Sequence, residues 1–186
     1  MRVISGSARG LRLRSVAGMR TRPTTDRVKE NIFNLIQNNV YGATALDLFA
    51  GTGQLGIEAL SRGAAHCDFI EHTKTACQTI QANLSAAHLE QRASLYQTEA
   101  MRFLQNAKKK FYDLIFLDPP YGGEILERAL LFTERFDILA TNGIIICECA
   151  GDDKFSHNFT PLCARTYGAT VITLLQRQEN RWDTKI

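Results

Sequence analysis

No run of 18 apolar residues occurs in this 186-residue chain, so no segment is expected to cross a membrane. The opening Met1-Arg2-Val3-Ile4-Ser5-Gly6 lacks the apolar stretch of a secretory signal, which favours the cytoplasm. The five cysteines (Cys67, Cys77, Cys147, Cys149 and Cys163) contain no C-x-x-C pair, and their number is odd. Neither a disulfide framework nor a zinc site is expected, and the thiols read as small apolar residues. The four histidines, His66, His72, His88 and His157, show no metal-ligand spacing, so no metal is expected. Internal repeats and low-complexity segments are absent as well, which excludes solenoids and tracts of biased composition.

What remains is the composition of an ordinary globular protein, with 45% hydrophobic and 22% charged residues. The length suits one domain plus a short appendage, with enough chain to bury a core unaided. The net charge of +3 is unevenly spread. Residues 1–30 carry Arg2, Arg9, Arg12, Arg14, Arg20, Arg22, Arg27 and Lys29 against Asp26 and Glu30, a local +6. The rest holds 14 basic and 17 acidic residues, a local −3. A basic arm on a mildly acidic body suggests a surface that faces nucleic acid.

Residues 1–24 alternate small, apolar and basic residues and read as short strands or a hairpin, with the arginines on one face against phosphates. A solvated edge ribbon is the plainer alternative. A helix is predicted over 25–38, with Thr25 as N-cap and Val28, Ile32, Leu35 and Ile36 forming its apolar face. From Ala43 onward strands and helices alternate. Strands are predicted at 43–49, 67–71, 93–97, 113–117, 143–149, 162–167 and 169–175. Helices are predicted at 54–62, 73–87, 99–107 and 123–136, with a turn near 152–157. This order predicts an α/β fold, a mostly parallel, doubly wound sheet ending in an antiparallel hairpin strand, with a small N-terminal ribbon and helix extension. The domain expectation is a basic, RNA-facing segment over 1–40 and a catalytic domain over 41–186.

Asp47-Leu48-Phe49-Ala50-Gly51-Thr52-Gly53-Gln54-Leu55-Gly56 joins a strand to a helix through G-x-G-x-x-G, and Glu71 closes the next strand 20 residues after Gly51. Glycines allow the backbone to turn tightly and approach a ligand, and a carboxylate at Glu71 can accept bonds from ribose hydroxyls. A dinucleotide and S-adenosylmethionine both fit. Asp47, four residues before Gly51, favours the second, because it would repel a pyrophosphate and attract a cationic amine or sulfonium. A plain capping role for Asp47 is the alternative. Glu99, just before Ala100, is placed either to accept from an adenine amino group or to act as an acidic residue at a helix start.

Asp118-Pro119-Pro120-Tyr121 ends the fourth predicted strand. Ligands in such sheets bind where the strand order reverses, so this tetrapeptide is expected beside the glycine turn. An exocyclic base amine is a poor nucleophile, because its lone pair is delocalised into the ring. Two acceptors, the Asp118 carboxylate and the Pro119 carbonyl, can hold its N–H groups, and Tyr121 offers a stacking face. No cysteine directly follows a proline, so the nucleophile that attacks a pyrimidine ring is missing. Arg20, Arg22 and Thr24 are expected near the mouth of this site, and Lys108-Lys109-Lys110 reads as a solvated loop.

These segments together resemble the RsmD family of 16S ribosomal RNA guanine-N2 methyltransferases. The shared residues are Arg2-Val3-Ile4-Ser5-Gly6, Gly10-Leu11-Arg12-Leu13, Arg22-Pro23-Thr24 with Arg27, Asp47 to Gly53 with Gly56 to Ala64, and Leu117 to Tyr121. The resemblance implies the Rossmann-like class I methyltransferase fold and S-adenosyl-L-methionine as cofactor. The implied reaction is methylation of guanine 966 at N2 in the small (30S) ribosomal subunit. It implies catalytic residues Asp118, Pro119, Pro120 and Tyr121, and cofactor contacts from Asp47, Phe49, Ala50, Gly51, Gly53, Glu71, Glu99 and Ala100. RNA contacts are expected from Arg2, Arg9, Arg12, Arg14, Arg20, Arg22 and Thr24. A monomer without metal or membrane partners is expected. The alternatives are an adenine-N6 methyltransferase on DNA or RNA, an inactive ribosome-assembly module and, last, a nicotinamide dehydrogenase.

Overall fold

Strands that are apolar on both sides need cover on both faces of a sheet, and the structure, a computed structural model, provides it. It describes residues 1–16, 25–119, 123–151, 153 and 155–178. The chain runs α1 (Asp26–Leu35), α2 (Gln37–Val40), β1 (Thr44–Asp47), α3 (Gln54–Ser61), β2 (His66–Glu71) and α4 (Lys74–Ala87). It continues through β3 (Ala93–Gln97), α5 (Ala100–Leu104), β4 (Tyr112–Leu117), α6 (Gly123–Arg135), β5 (Leu139–Ala150), β6 (Thr160–Tyr167) and β7 (Thr170–Gln176). The strands form one sheet in the order β3-β2-β1-β4-β5-β7-β6. The first five are parallel, and β7 runs antiparallel to both β5 and β6. The order reverses between β1 and β4, as the sequence predicts.

Alternation along β4 divides the core. Leu114 and Phe116 join Ile32, Phe33, Ala45, Phe69 and Leu174 on one face. Ile115 and Leu117 join Leu46, Ile70, Leu126, Leu130 and Leu175 on the other. Each Leu, Ile or Phe among them contributes about 1.5–3 kcal/mol on burial. Cys147 and Cys149 share the second face, as their spacing predicts. Gly56 lets α3 lie close on β2, since a Cβ there would meet the Phe69 ring at 2.3 Å.

Some predicted boundaries change. The helix over 25–38 ends at Leu35, and Ile36 turns the chain into the short α2, which buries Val40. The helix over 99–107 stops at Leu104, its only buried residue, and Lys108 to Lys110 are exposed. β5 begins earlier than predicted, because Leu139 pairs with Tyr112 ahead of a register shift. Of the turn near 152–157, positions 152 and 154 lie outside the described residues, and 155–157 are irregular.

The N-terminal arm forms a short hairpin, with an antiparallel bridge between Arg2 and Arg12 and backbone bonds from Val3 N–H to the Leu11 carbonyl, Gly10 N–H to the Val3 carbonyl and Leu13 N–H to the Met1 carbonyl. The N–H groups of Ile4 and Ser5 donate to the Glu58 carboxylate at 2.7 and 3.0 Å. Ser7 N–H donates to the Ser61 carbonyl at 2.8 Å and Ala8 N–H to Ser61 Oγ at 3.0 Å. Gly6, with φ +86°, wraps so closely around the end of α3 that a Cβ would lie 1.8 Å from the Ser61 carbonyl oxygen. Lys29, counted above with the basic arm, is fully buried: Nζ donates to the Arg2 carbonyl at 2.5 Å and lies 3.7 Å from Glu58 Oε2. Burial lowers its pKa, and Glu58 opposes that shift. Val3, Leu13, Val28 and Ile32 join the same cluster as the sheet, so the arm and α1 share its core.

Candidate active site

The loop after β1 continues as a bridge between its neighbours. Leu48 N–H donates to the Phe116 carbonyl and Ala50 N–H to the Ile70 carbonyl. Gly51 and Gly53 then take φ of +54° and +78°, and Gly53 starts α3. Beside this turn, at the carboxyl ends of β1 and β4, opens a cavity of about 1130 Å³. Its lining includes Asp47, Phe49, Ala50, Gly51, Glu71, Glu99 and Ala100 together with Asp118 and Pro119. Of the sequence-derived cofactor set only Gly53 is not in the lining. It sits behind the turn and donates to the Ala50 carbonyl at 2.6 Å. Pro120 and Tyr121, and Arg20, Arg22 and Thr24, lie outside the described residues.

Asp47 is 2% exposed and accepts the Gly56 N–H at 3.0 Å on Oδ2. It is thus a bond acceptor within the first turn of α3 and also part of the cavity wall. Burial pushes its carboxyl up to about 7, and the neighbouring Glu71 adds to the rise while the Gly56 bond opposes it. An anion this costly is what a cationic ligand group would stabilise. Glu71 fixes the turn. Its Oε2 accepts from Gly51 N–H at 3.1 Å, and its Oε1 accepts from Thr73 N–H at 2.8 Å and Thr73 Oγ at 2.5 Å. Glu99 is the exposed N-cap residue of α5, without a side-chain capping bond, and lines the cavity.

The arm reaches this site. Arg14 N–H donates to Asn83 Oδ1 at 2.7 Å, while Asn83 Nδ2 donates to the Arg14 carbonyl at 3.1 Å and to the Thr52 carbonyl at 2.9 Å. One buried amide on α4 thus clamps the arm to the glycine turn, and Val16 enters the cavity wall. Arg9, Arg12 and Arg14 are exposed, whereas Arg2 pairs with Asp26 at 3.2 Å.

Sequence reasoning missed part of the wall. Arg102 of α5 and Arg128 of α6 are exposed and line the cavity, as do Glu148 and Cys149 at the end of β5 and Thr170 of β7. Only the strand register brings the last three to the site. Burial raises the Cys149 thiol to about 11, so it is not a thiolate nucleophile near neutral pH. Among the described residues, no group of three His, Cys, Asp or Glu is placed to hold a metal ion. No helix among them is long and apolar enough to cross a membrane.

The family described as Conserved hypothetical protein 95 matches residues 1–176. YlbH of Bacillus subtilis is 42% identical over 183 residues, covering 96% of this chain and 100% of its own. The chain belongs to the RsmD family. Ribosomal RNA small subunit methyltransferase D of Haemophilus influenzae is 33% identical over 180 residues, covering 95% of this chain and 93% of its own. The solved structure of yhhF from Escherichia coli, 34% identical, superimposes with a TM-score of 0.85 over 97% of this chain and 99% of that one. The sheet order and antiparallel hairpin of this RsmD-family chain are those of the Rossmann-like class I methyltransferase fold.

Proposed function

We propose that this chain methylates the exocyclic N2 amine of a guanine in small-subunit ribosomal RNA, using S-adenosyl-L-methionine. The observation that carries the reading is the shared cavity. Asp118 and Pro119 line the same space as Asp47, Gly51 and Glu71. The names of the relatives, ribosomal RNA small subunit methyltransferase D among them, support RNA as the substrate class.

The residues present fit the cofactor. Asp47, a buried carboxylate pushed up to about 7, suits the methionine amine or the sulfonium, and Glu71 suits the ribose hydroxyls. When bound, S-adenosylmethionine supplies an electrophilic methyl group. Asp118 and the Pro119 carbonyl accept the two N–H bonds of the target amine, turning its nitrogen toward the donor and stabilising the positive charge that develops there. Rate then comes from positioning and a fixed electrostatic environment. Asp118, or solvent beyond it, takes the proton that the methylated amine releases. Residues 1–40 act as the RNA-facing segment, with Arg9, Arg12 and Arg14 contacting phosphates, which position the substrate without choosing it. By resemblance the target is guanine 966 on the assembled subunit.

The test is labelled methyl transfer to unmodified small subunits. Asp118→Ala is expected to abolish transfer while S-adenosylhomocysteine still binds. Undiminished turnover by that variant, or no transfer by the unaltered protein, refutes the reading.

A further inference from the structure

The pairing of β4 with β5 has a chemical consequence beyond the Asp-Pro-Pro-Tyr segment. Phe116 pairs with Ile146 and Leu117 with Cys147. Asp118 and Glu148 are the residues that follow this last pair, Asp118 just past the end of β4 and Glu148 within β5, and both line the cavity. Glu148 is half-buried and pairs on its other side with the fully buried Ile172 of β7. Adjacent strands lie about 4.8 Å apart, so two such carboxylates can converge on neighbouring donors of one planar base.

We infer that Glu148 selects guanine, by accepting the N1–H that flanks the amine held at Asp118. This rests on the methyltransferase reading above and adds the residue that chooses the base. In guanine the reacting N2 amine stands beside N1–H, a donor. In adenine the N6 amine stands between N1 and N7, both acceptors. In cytosine the N4 amine stands beside N3, again an acceptor. A carboxylate at Glu148 therefore gains a charge-assisted hydrogen bond with guanine and finds no ring N–H donor beside the amine of either other base. Asp118 and the Pro119 carbonyl cannot make this distinction, because all three bases carry an N–H₂ group. A carboxylate has acceptor positions on two oxygens, so a contact of Glu148 within the protein leaves room for the base. Glutamine at the same position has nearly the same shape and can either accept from N1–H or donate to a bare N1.

The experiment uses labelled methyl transfer to unmodified small subunits that carry guanine or, by substitution in the ribosomal RNA gene, adenine at the modified position. The unaltered protein is expected to methylate only the guanine subunits. Glu148→Gln is expected to lower turnover on guanine subunits by about tenfold or more, the scale of a lost charge-assisted bond. It is also expected to raise turnover on adenine subunits above that of the unaltered protein, with S-adenosylhomocysteine affinity unchanged. Guanine turnover within twofold of the unaltered protein overturns the assignment, and so does a loss on guanine with no gain on adenine, which marks a structural part only. Failure of the unaltered protein on guanine subunits is a different result. It removes the underlying methyltransferase reading and this inference with it.

Discussion

Asp47→Asn should stabilise the ligand-free protein while weakening its hold on the methyl donor. Asp47 is 2% exposed, and its carboxyl rises from an ordinary 3.8 to about 7. Between those values the folded protein binds more protons than the unfolded chain, so stability falls as pH rises through this window and stays low above it. The gap corresponds to a penalty of at most about 4 kcal/mol on the ionised form. Asparagine keeps an oxygen for the Gly56 N–H and carries no charge, so it avoids that penalty. Urea unfolding of both proteins at pH 5 and pH 8 measures the difference. The variant should gain about 2–4 kcal/mol at pH 8, and the gain should shrink by about 2 kcal/mol at pH 5, where the native carboxyl is protonated. In parallel, S-adenosylhomocysteine affinity of the unaltered protein should rise with pH through about 7. That of the variant should be weaker and flat over the same range. A stability difference identical at both pH values would contradict the reasoning, because burial of charge would then not be its source.

Glu58→Gln should destabilise the fold by about 3–5 kcal/mol in the same unfolding assay, since it leaves Lys29 buried without its counter-charge. Adding Lys29→Met should recover part of the loss, and no recovery would show that the pair's charge is not the cause. Gly6→Ala should cost about 1–3 kcal/mol and expose the arm to hydrogen exchange, because positive φ and the Ser61 carbonyl both oppose a Cβ. Unchanged protection of the Ile4 and Ser5 amides would argue against a docked arm. Replacing Arg9, Arg12 and Arg14 together with alanine should reduce the slope of log affinity against log salt for RNA by about 2–3. An unchanged slope would remove the arm from the RNA interface.

What was legible in the sequence was local. The glycine turn and Asp-Pro-Pro-Tyr segment announce themselves by residue type and spacing, and the alternation of strands with helices implies that β1 and β4 flank the reversal of strand order. The terminal hairpin was legible too, through the strands predicted at 162–167 and 169–175 with a single glycine, Gly168, between them. The features that escaped depend on contacts between distant positions. Lys29 reads as surface charge until Glu58, on another helix, is seen to hold it in the core. Asn83 carries no motif, yet it ties Arg14 to Thr52. Glu148 is one more residue of a strand until the fold brings it into the cavity that Asp118 also lines. The docking of the arm escaped for the same reason, because the Ile4 and Ser5 amides reach Glu58 on α3.

The central claim concerns one bond, from a donor methyl group to the N2 nitrogen of a guanine. Mass spectrometry of nucleosides from small-subunit RNA, in cells with and without this protein, reads that bond directly. The account predicts N2-methylguanosine that disappears without the protein and returns with the unaltered chain but not with Asp118→Ala. Loss of N6-methyladenosine instead, or no change in any methylated nucleoside, would contradict it.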